Sequence, residues 1–302
     1  MTPDIRHLVR RADEARYELP AGFSSHSSGF RRWAVVDHTT PGAVHTGFGL
    51  NELSEAGAID LHVHSFEETF FVLEGTVVID TPEGAVELRP GDYGLVPVGV
   101  PHSWRSIQAE PARWADLLAP QPRPWFDEDT YFLTEADKRE AIGVDPRDPR
   151  TRSFGHIDPS NMDPGRQTQD MLTMSASMRT ALLVYSGISV KMMSDKDLGA
   201  QLSTMFMVQY EPRGMAGAHD HPLEETYLIL EGEVDGVFDG NRYRLRPGDI
   251  AFAGVGAVHE FSNPGDQVVR WLETQSPAPP ARHSYRFVRD WHYLTDKLAK
   301  ES

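Results

Sequence analysis

The sequence predicts an all-β protein made of two similar domains in tandem, with only short helices outside the sheets. Three observations carry that prediction. One histidine–carboxylate pattern, H-x-H-x3-E followed by a later histidine, occurs twice: His62, His64, Glu68 and His102, then His219, His221, Glu225 and His259. Each residue stands 157 positions from its counterpart, as do Gly75/Gly232, Gly91/Gly248 and Asp92/Asp249, so nothing is inserted across the repeat. The residues around the pattern alternate with a period of two and are punctuated by turn residues, Pro82-Glu83-Gly84 in one copy and Asp239-Gly240 in the other.

Composition sets the outer limits. The chain has 302 residues, 39% hydrophobic and 25% charged, which suits a soluble globular protein of about two domains. No apolar run of about 18 residues suggests a membrane span, and Met1–Pro20 lacks the apolar centre of a secretory signal. There are no cysteines, so no disulfide framework is expected and a cytoplasmic location is the default. A formal net charge of −16 argues against nucleic acid or an anionic membrane as a partner.

In chain order, residues 1–120 form the first domain with an N-terminal arm. The arm reads as a short helix from Arg6 to Arg16, ended by Pro20. From Arg31 the period shifts to two, with Pro41-Gly42 as a turn, and Leu61–Gly75 reads as a strand pair around the first ligand cluster. Val77 to Leu88 is a hairpin, and prolines 120, 122 and 124 mark the domain's exit. Residues 121–169 are a connector in which Thr134 caps a helix over Glu135 to Ile142, followed by four Asp-Pro turns. So long a segment reads better as a strap between the domains than as a free loop. Residues 170–302 repeat the strand pattern and end in a tail read as a strand and a short helix.

Residues two apart on a strand share a face, so His62 and His64 project together, as do His219 and His221. A glutamate returning from the next strand and a histidine from a later one complete a set of three imidazoles and one carboxylate. That donor set suits a first-row divalent ion, iron or manganese foremost, with nickel, cobalt, copper and zinc also compatible. An octahedral ion would keep two positions for substrate, dioxygen or water. A closed structural zinc site would favour thiolates, and none exists here.

Both segments resemble the two signature motifs of the cupin superfamily, a glycine followed by the H-x-H-x3-E run and its later glycine, then G-x5-P-x-G-x2-H-x3-N. The chain departs from them at Ser106, where asparagine is usual, and at Gly254, which stands where the first copy has Pro97. The resemblance is to the bicupins. It implies two jelly-roll β-barrels in tandem, about one metal ion in each, a small-molecule substrate and a homo-oligomer, dimer or larger. The ligand set in both halves resembles that of the quercetin dioxygenases more than that of the gentisate dioxygenases, which use histidines without the glutamate. On that basis the chain is expected to be a metal-dependent dioxygenase acting on a hydroxylated aromatic or an enolised carbonyl compound, with Glu68 and Glu225 doubling as bases. The competing readings are redox-neutral hydrolysis, isomerisation or decarboxylation, and a non-enzymatic small-ligand binder.

Candidate substrate contacts come from differences between the copies. Trp104 and Phe261 face inward by alternation, Tyr227 is a further candidate beside its role in the core, and Arg213 replaces Ala56 as a possible anion anchor. These differences predict that the second barrel carries most of the chemistry, with Trp104 narrowing the first and Gly254 opening the second. Glu67 and Glu224 should face outward as exterior acids, and Asp92 and Asp249 should be turn residues.

Overall fold

The computed structural model describes residues 5–134, 138–163 and 185–279, with the backbone of 286–287. The first sheet contains β2 (Ser27–Val36), β3 (Gly47–His64), β4 (Glu67–Glu74), β5 (Val77–Thr81), β6 (Gly84–Leu88), β7 (Asp92–Val96), β8 (His102–Ser106) and β9 (Ala112–Ala119). The second repeats them as β13 (Tyr185–Ser194), β14 (Thr204–Asp220), β15 (Glu224–Glu231), β16 (Val234–Phe238), β17 (Asn241–Leu245), β18 (Ile250–Ala253), β19 (His259–Ser262) and β20 (Val269–Ser276). Each sheet curls into a barrel. The long strands β3 and β14 bend where Ala56 and Arg213 adopt left-handed backbone, at φ of 54° and 66°. The glycine that follows each bend is required, since a Cβ on Gly57 or Gly214 would stand 2.8 or 2.7 Å from a backbone oxygen.

Each barrel also takes strands from the segment preceding the other, one in the second barrel and three in the first. The N-terminal arm forms β1 (His7–Arg10), which pairs antiparallel with β18 of the second barrel. The connector gives β10 (Thr130–Phe132), β11 (Ala141–Gly143) and β12 (Phe154–His156), which pair with β3, β6 and β7 of the first. The expected helix from Arg6 to Arg16 is therefore a strand followed by a single 3₁₀ turn at Ala12–Glu14. Pairing with an open sheet edge outweighs the weak helical propensity of so short a segment. The expected connector helix is corrected too. Residues 135–137 lie outside the described residues, 138–140 are irregular, and Ala141–Gly143 is a strand. Of the tail, only Arg286–Phe287 is described, as a strand against β14.

Three apolar clusters follow from the alternation. One fills each barrel, around Phe30, Phe70 and Trp114 in the first and Tyr227, Phe238 and Trp271 in the second. The third lies between the barrels, where Phe48, Leu50, Phe71 and Ala115 meet Met205, Met207, Leu228 and Leu272, their own counterparts in the repeat. The same outward face of both copies thus forms the junction, related by an approximate two-fold axis.

At the ends of this junction the barrels clasp each other. The Glu224 carboxylate accepts backbone N–H groups from Val44, His45 and Thr46 of the first barrel, at 2.7 to 3.1 Å. The Glu67 carboxylate accepts those of Gln201, Leu202 and Ser203 of the second, and the Ser203 hydroxyl at 2.6 Å. Residues 44–46 and 201–203 are themselves 157 positions apart, so the contact is reciprocal. Both acids are buried, which overturns their assignment as exterior groups. Alternation does turn them away from the barrel interior, but the outer face at that point is the junction.

Charge-assisted hydrogen bonds to buried backbone are expensive to lose. Glu67→Ala should lower the free energy of urea unfolding by about 3 kcal/mol, and Glu67→Gln by about half of that. Equal midpoints for all three proteins would show that water replaces the carboxylate without penalty.

Candidate metal centres

The H-x-H histidines lie at the end of β3 and at or just past the end of β14, the glutamates near the starts of β4 and β15, and the last histidines at the starts of β8 and β19. Cross-strand pairing sets His62 opposite His102 and His219 opposite His259. All eight candidate ligands are buried. Donor atoms of His64, Glu68 and His102 lie within 4.8 Å of one another, as do those of His219, His221 and His259. His62 closes the first set, its ring centroid 4.1 Å from that of His102. Glu225 closes the second, with Oε2 at 2.8 Å from His221 Nε2 and 3.2 Å from His259 Nε2. Neighbouring donors on an octahedral ion with bonds of about 2.1 Å stand about 3 Å apart, so these spacings fit.

The protonation pattern supports the same conclusion. Every ligand histidine places Nδ1 against a backbone carbonyl: His62 on Asp60, His64 on Phe66 and His102 on Val100, repeated as His219 on Gly217, His221 on Leu223 and His259 on Ala257, all at 2.6 to 3.1 Å. A carbonyl only accepts, so Nδ1 carries the hydrogen and Nε2 presents its lone pair inward. Nε2 of His64, His102 and His259 is buried with no hydrogen-bond donor. Nε2 of His64 and His102 instead faces the Glu68 carboxylate at 3.3 and 3.5 Å, so acceptor faces acceptor. A cation satisfies such a set, and the residues present therefore fit a divalent metal.

The titration tendencies agree. Burial pushes His62 and His219 well below the ordinary imidazole value, so both rings are neutral near pH 7. Burial works against the Glu68 and Glu225 carboxylates, yet positive charge on the surrounding imidazoles would hold both well below the usual carboxylate range, the same attraction that a cation at the centre would supply.

The surroundings of the two centres differ. Glu225 accepts from the Tyr227 hydroxyl and from Gln275 Nε2, the latter at 2.6 Å, whereas Phe70 and Leu118 occupy those positions beside Glu68. Among the described residues, the second barrel keeps a cavity of about 40 Å³ at its donor set, lined by Phe206, Tyr210, Tyr227, Phe261 and Trp271. The cavity that reaches the first donor set measures about 890 Å³ and runs from His62, His64 and Glu68 out of the barrel past the exposed Glu18 and Leu19 of the N-terminal arm. Among the described residues, the greater space thus lies at the first centre, against the expectation that Trp104 narrows the first barrel and Gly254 opens the second. Trp104 does not block the first cavity, because it lies flat along the wall, stacked on Trp114 at 4.9 Å and 16°. Gly254 does not open the second site, because the arm occupies the space: its N–H donates to Arg6 O at 2.7 Å, and a Cβ would stand 2.9 Å from that oxygen.

Of the candidate substrate contacts, Trp104 lines the large cavity, and Tyr227 and Phe261 line the small one. Arg213 is exposed at the bend of β14 and lines neither, since the left-handed turn carries it away from the interior. Asp92 and Asp249 do stabilise their turns, accepting the N–H of Arg89 and Arg246, and they also anchor the exchanged strands through His156 and Arg11. Sequence reasoning passed over four residues of the large cavity, Arg32, Asn51, Asp116 and Glu128. Comparing whole strands in the 157-residue register would have marked Asn51 and Asp116, which correspond to Val208 and Glu273 in the second copy.

Comparison with known proteins agrees with this architecture. The family model of the cupin domain matches residues 50–118 and again 206–274, so each barrel is a cupin domain and the chain is a bicupin. No curated protein sequence matches it. Among solved structures, the oxalate decarboxylase of Lactobacillus farciminis in complex with formate is similar at a TM-score of 0.60 and 17% identity, over 97% of this chain and 92% of that one. The Bacillus subtilis oxalate decarboxylase gives 0.59 and 14%, over 96% and 80%. Salicylate 1,2-dioxygenase of Pseudoaminobacter salicylatoxidans, with gentisate, gives 0.59 and 14%, over 77% and 68%. At such identities the likeness establishes the fold alone. No helix among the described residues is long and apolar enough to cross a membrane.

Metal-replete protein should contain about two ions per chain by elemental analysis, given two complete donor sets. Glu225→Ala should lose one of them and stay folded, at a cost of no more than about 3 kcal/mol, as expected for losing one ligand from the native state. Loss of both ions, or unfolding at room temperature, would contradict the independence of the two barrels.

Proposed function

We propose that the protein is a metal-dependent enzyme whose reaction takes place in the first barrel, and that it is a dioxygenase acting on a hydroxylated aromatic or an enolised carbonyl compound. The observation that carries this reading is the contrast between two equivalent donor sets, one opening onto about 890 Å³ and the other onto about 40 Å³. The larger space is walled by flat rings. Phe30, Trp114 and Trp104 lie nearly parallel in sequence, at interplanar angles of 17° and 16°, and a planar substrate can pack along them.

His62, His64, His102 and Glu68 would hold the ion. A divalent transition metal, when bound, supplies Lewis acidity toward an enolate or phenolate oxygen and, if redox-active, a path for electrons to dioxygen. Three neutral imidazoles and one carboxylate leave the centre at about +1, which suits a monoanionic ligand. Glu68, next to the ion, is the carboxylate placed to take the proton that the substrate hydroxyl gives up. The apolar walls exclude water from the bound face of the ligand.

A second reading has its own support. Glu128 lines the mouth of the cavity, and burial raises its carboxyl above the ordinary value, against the pull of Arg32. Asp127, Glu128 and Asp129 all have left-handed backbone, with φ of 50°, 55° and 53°. The turn is tied to the ligand segment by the Ser65 N–H, which donates to Asp129 O at 3.0 Å. A carboxyl that holds its proton more firmly than usual, fixed beside the ligand segment, is placed to give a proton, as redox-neutral decarboxylation or isomerisation requires.

Oxygen consumption with catechols, flavonols and β-diketones tests the first reading, and turnover without oxygen tests the second. In either case His62→Ala should lower turnover at least a hundredfold while His219→Ala keeps most of it, consistent with loss of an essential ligand in one barrel alone. The opposite ranking would move the chemistry to the second barrel.

A further inference from the structure

A polar cluster on the first cavity's wall is not used by the metal centre. Arg32 on β2 stands opposite Asn51 on β3, and Asp116 on β9 stands opposite Gly49. Arg32 Nε donates to Asp116 Oδ2 at 3.2 Å and its Nη2 donates to Oδ1, while Asn51 Nδ2 donates to Oδ2 at 2.8 Å. All three residues line the cavity, although Asn51 and Asp116 are only 2% and 4% exposed. A Cβ on Gly49 would stand 2.6 Å from the Arg32 guanidinium carbon, so the glycine makes room for the arginine.

Among the described residues, the second barrel has no such cluster. Val208 replaces Asn51, Val190 stands opposite it where Arg32 stands opposite Asn51, and Phe206 fills the place of Gly49. Glu273 replaces Asp116 and takes the Trp271 indole N–H at 2.9 Å. The cluster therefore belongs to the barrel with room for a substrate and is not needed to build the fold.

Its chemistry is specific. The charges of Arg32 and Asp116 cancel within the pair, and Asp116 already holds three donors. Arg32 Nη1 as donor and Asn51 Oδ1 as acceptor make no side-chain hydrogen bond among the described residues. One donor beside one acceptor, with no net charge, matches a neutral polar group, and a second carboxylate would meet Asp116. Position follows from the strand register. Glu68 stands opposite Leu118 on β9, and Asp116 is two residues along on the same face. Such diagonal neighbours are separated by about 7–8 Å, roughly a six-membered ring with its substituent.

We propose that Asn51, held by the Arg32–Asp116 pair, is a substrate-binding subsite. It selects ligands with an uncharged hydrogen-bonding group (amide, hydroxyl or carbonyl) about one ring's length from the oxygen at the metal centre, over ligands with a carboxylate there. The proposal rests on the first barrel being the substrate site. Anaerobic titration calorimetry on the metal-loaded full chain tests it with three probes: catechol, 3,4-dihydroxybenzamide and 3,4-dihydroxybenzoate. The amide should bind at least tenfold tighter than either of the others, the equivalent of one well-made hydrogen bond. Asn51→Val, which installs the residue of the second barrel, should bring the amide-to-catechol ratio to within about twofold. Equal affinities for amide and catechol in the unaltered protein would overturn the subsite and leave the site reading standing. Tightest binding of the benzoate would overturn it in favour of an anion site at Arg32. If catechol itself does not bind, the site reading fails and the subsite with it. The unaltered protein's ranking decides the matter even if the variant does not fold.

Discussion

The reciprocal clasp of Glu67 and Glu224 is the constraint on which the rest of the structure depends. Each is the residue immediately before a candidate metal ligand, Glu68 or Glu225, at the start of β4 or β15. A buried carboxylate with three backbone N–H donors has little freedom, and the strand that carries it starts from a fixed point. Its neighbour, pointing to the opposite face, is then presented to the barrel interior at a fixed height. The docking of one barrel on the other and the placement of each ligand carboxylate are thus consequences of the same few hydrogen bonds. The apolar junction between the clasps adds area, but it is not directional, and only the hydrogen bonds specify register.

Around this symmetric frame the interiors have diverged through side-chain volume. The donor sets superpose in sequence register down to the carbonyl that orients each imidazole. What differs is the wall of β3 from that of β14, where Gly47, Gly49 and Asn51 are replaced by Thr204, Phe206 and Val208. Packed rings in the second barrel bury apolar area and contribute stability. The first barrel forgoes that contribution to keep an open space, and it uses the freed wall for a charged pair and an amide. A large cavity beside a candidate metal donor set costs packing, a pattern that active sites commonly show.

The exchanged strands tie the frame together from outside. Asp92 and Asp249 first close their own turns and then hold the incoming segment, through the His156 ring on one side and Arg11 with the Ala12 N–H on the other. The arm that precedes the first barrel and the connector that precedes the second therefore cover equivalent edges, which also shields those edges from pairing with other chains.

The sequence by itself determined the repeat, the β class, the eight candidate ligands and their grouping in fours. Each of these follows from local spacing: period-two alternation assigns faces, and an unbroken 157-residue offset fixes correspondence. It was silent or misleading wherever the outcome depended on what packs against a face. Alternation placed Glu67 and Glu224 outside the barrels correctly, yet only the docked structure shows that this outside is an interior. Local propensity made Arg6 to Arg16 a helix, and an open edge on β18 made His7–Arg10 a strand. Single-residue comparison of Trp104 with Phe261 put the larger cavity in the second barrel. The volume at a site is a sum over residues distant in sequence, from Phe30 to Glu128 in one barrel and Ile188 to Glu273 in the other, and only tertiary packing performs that sum.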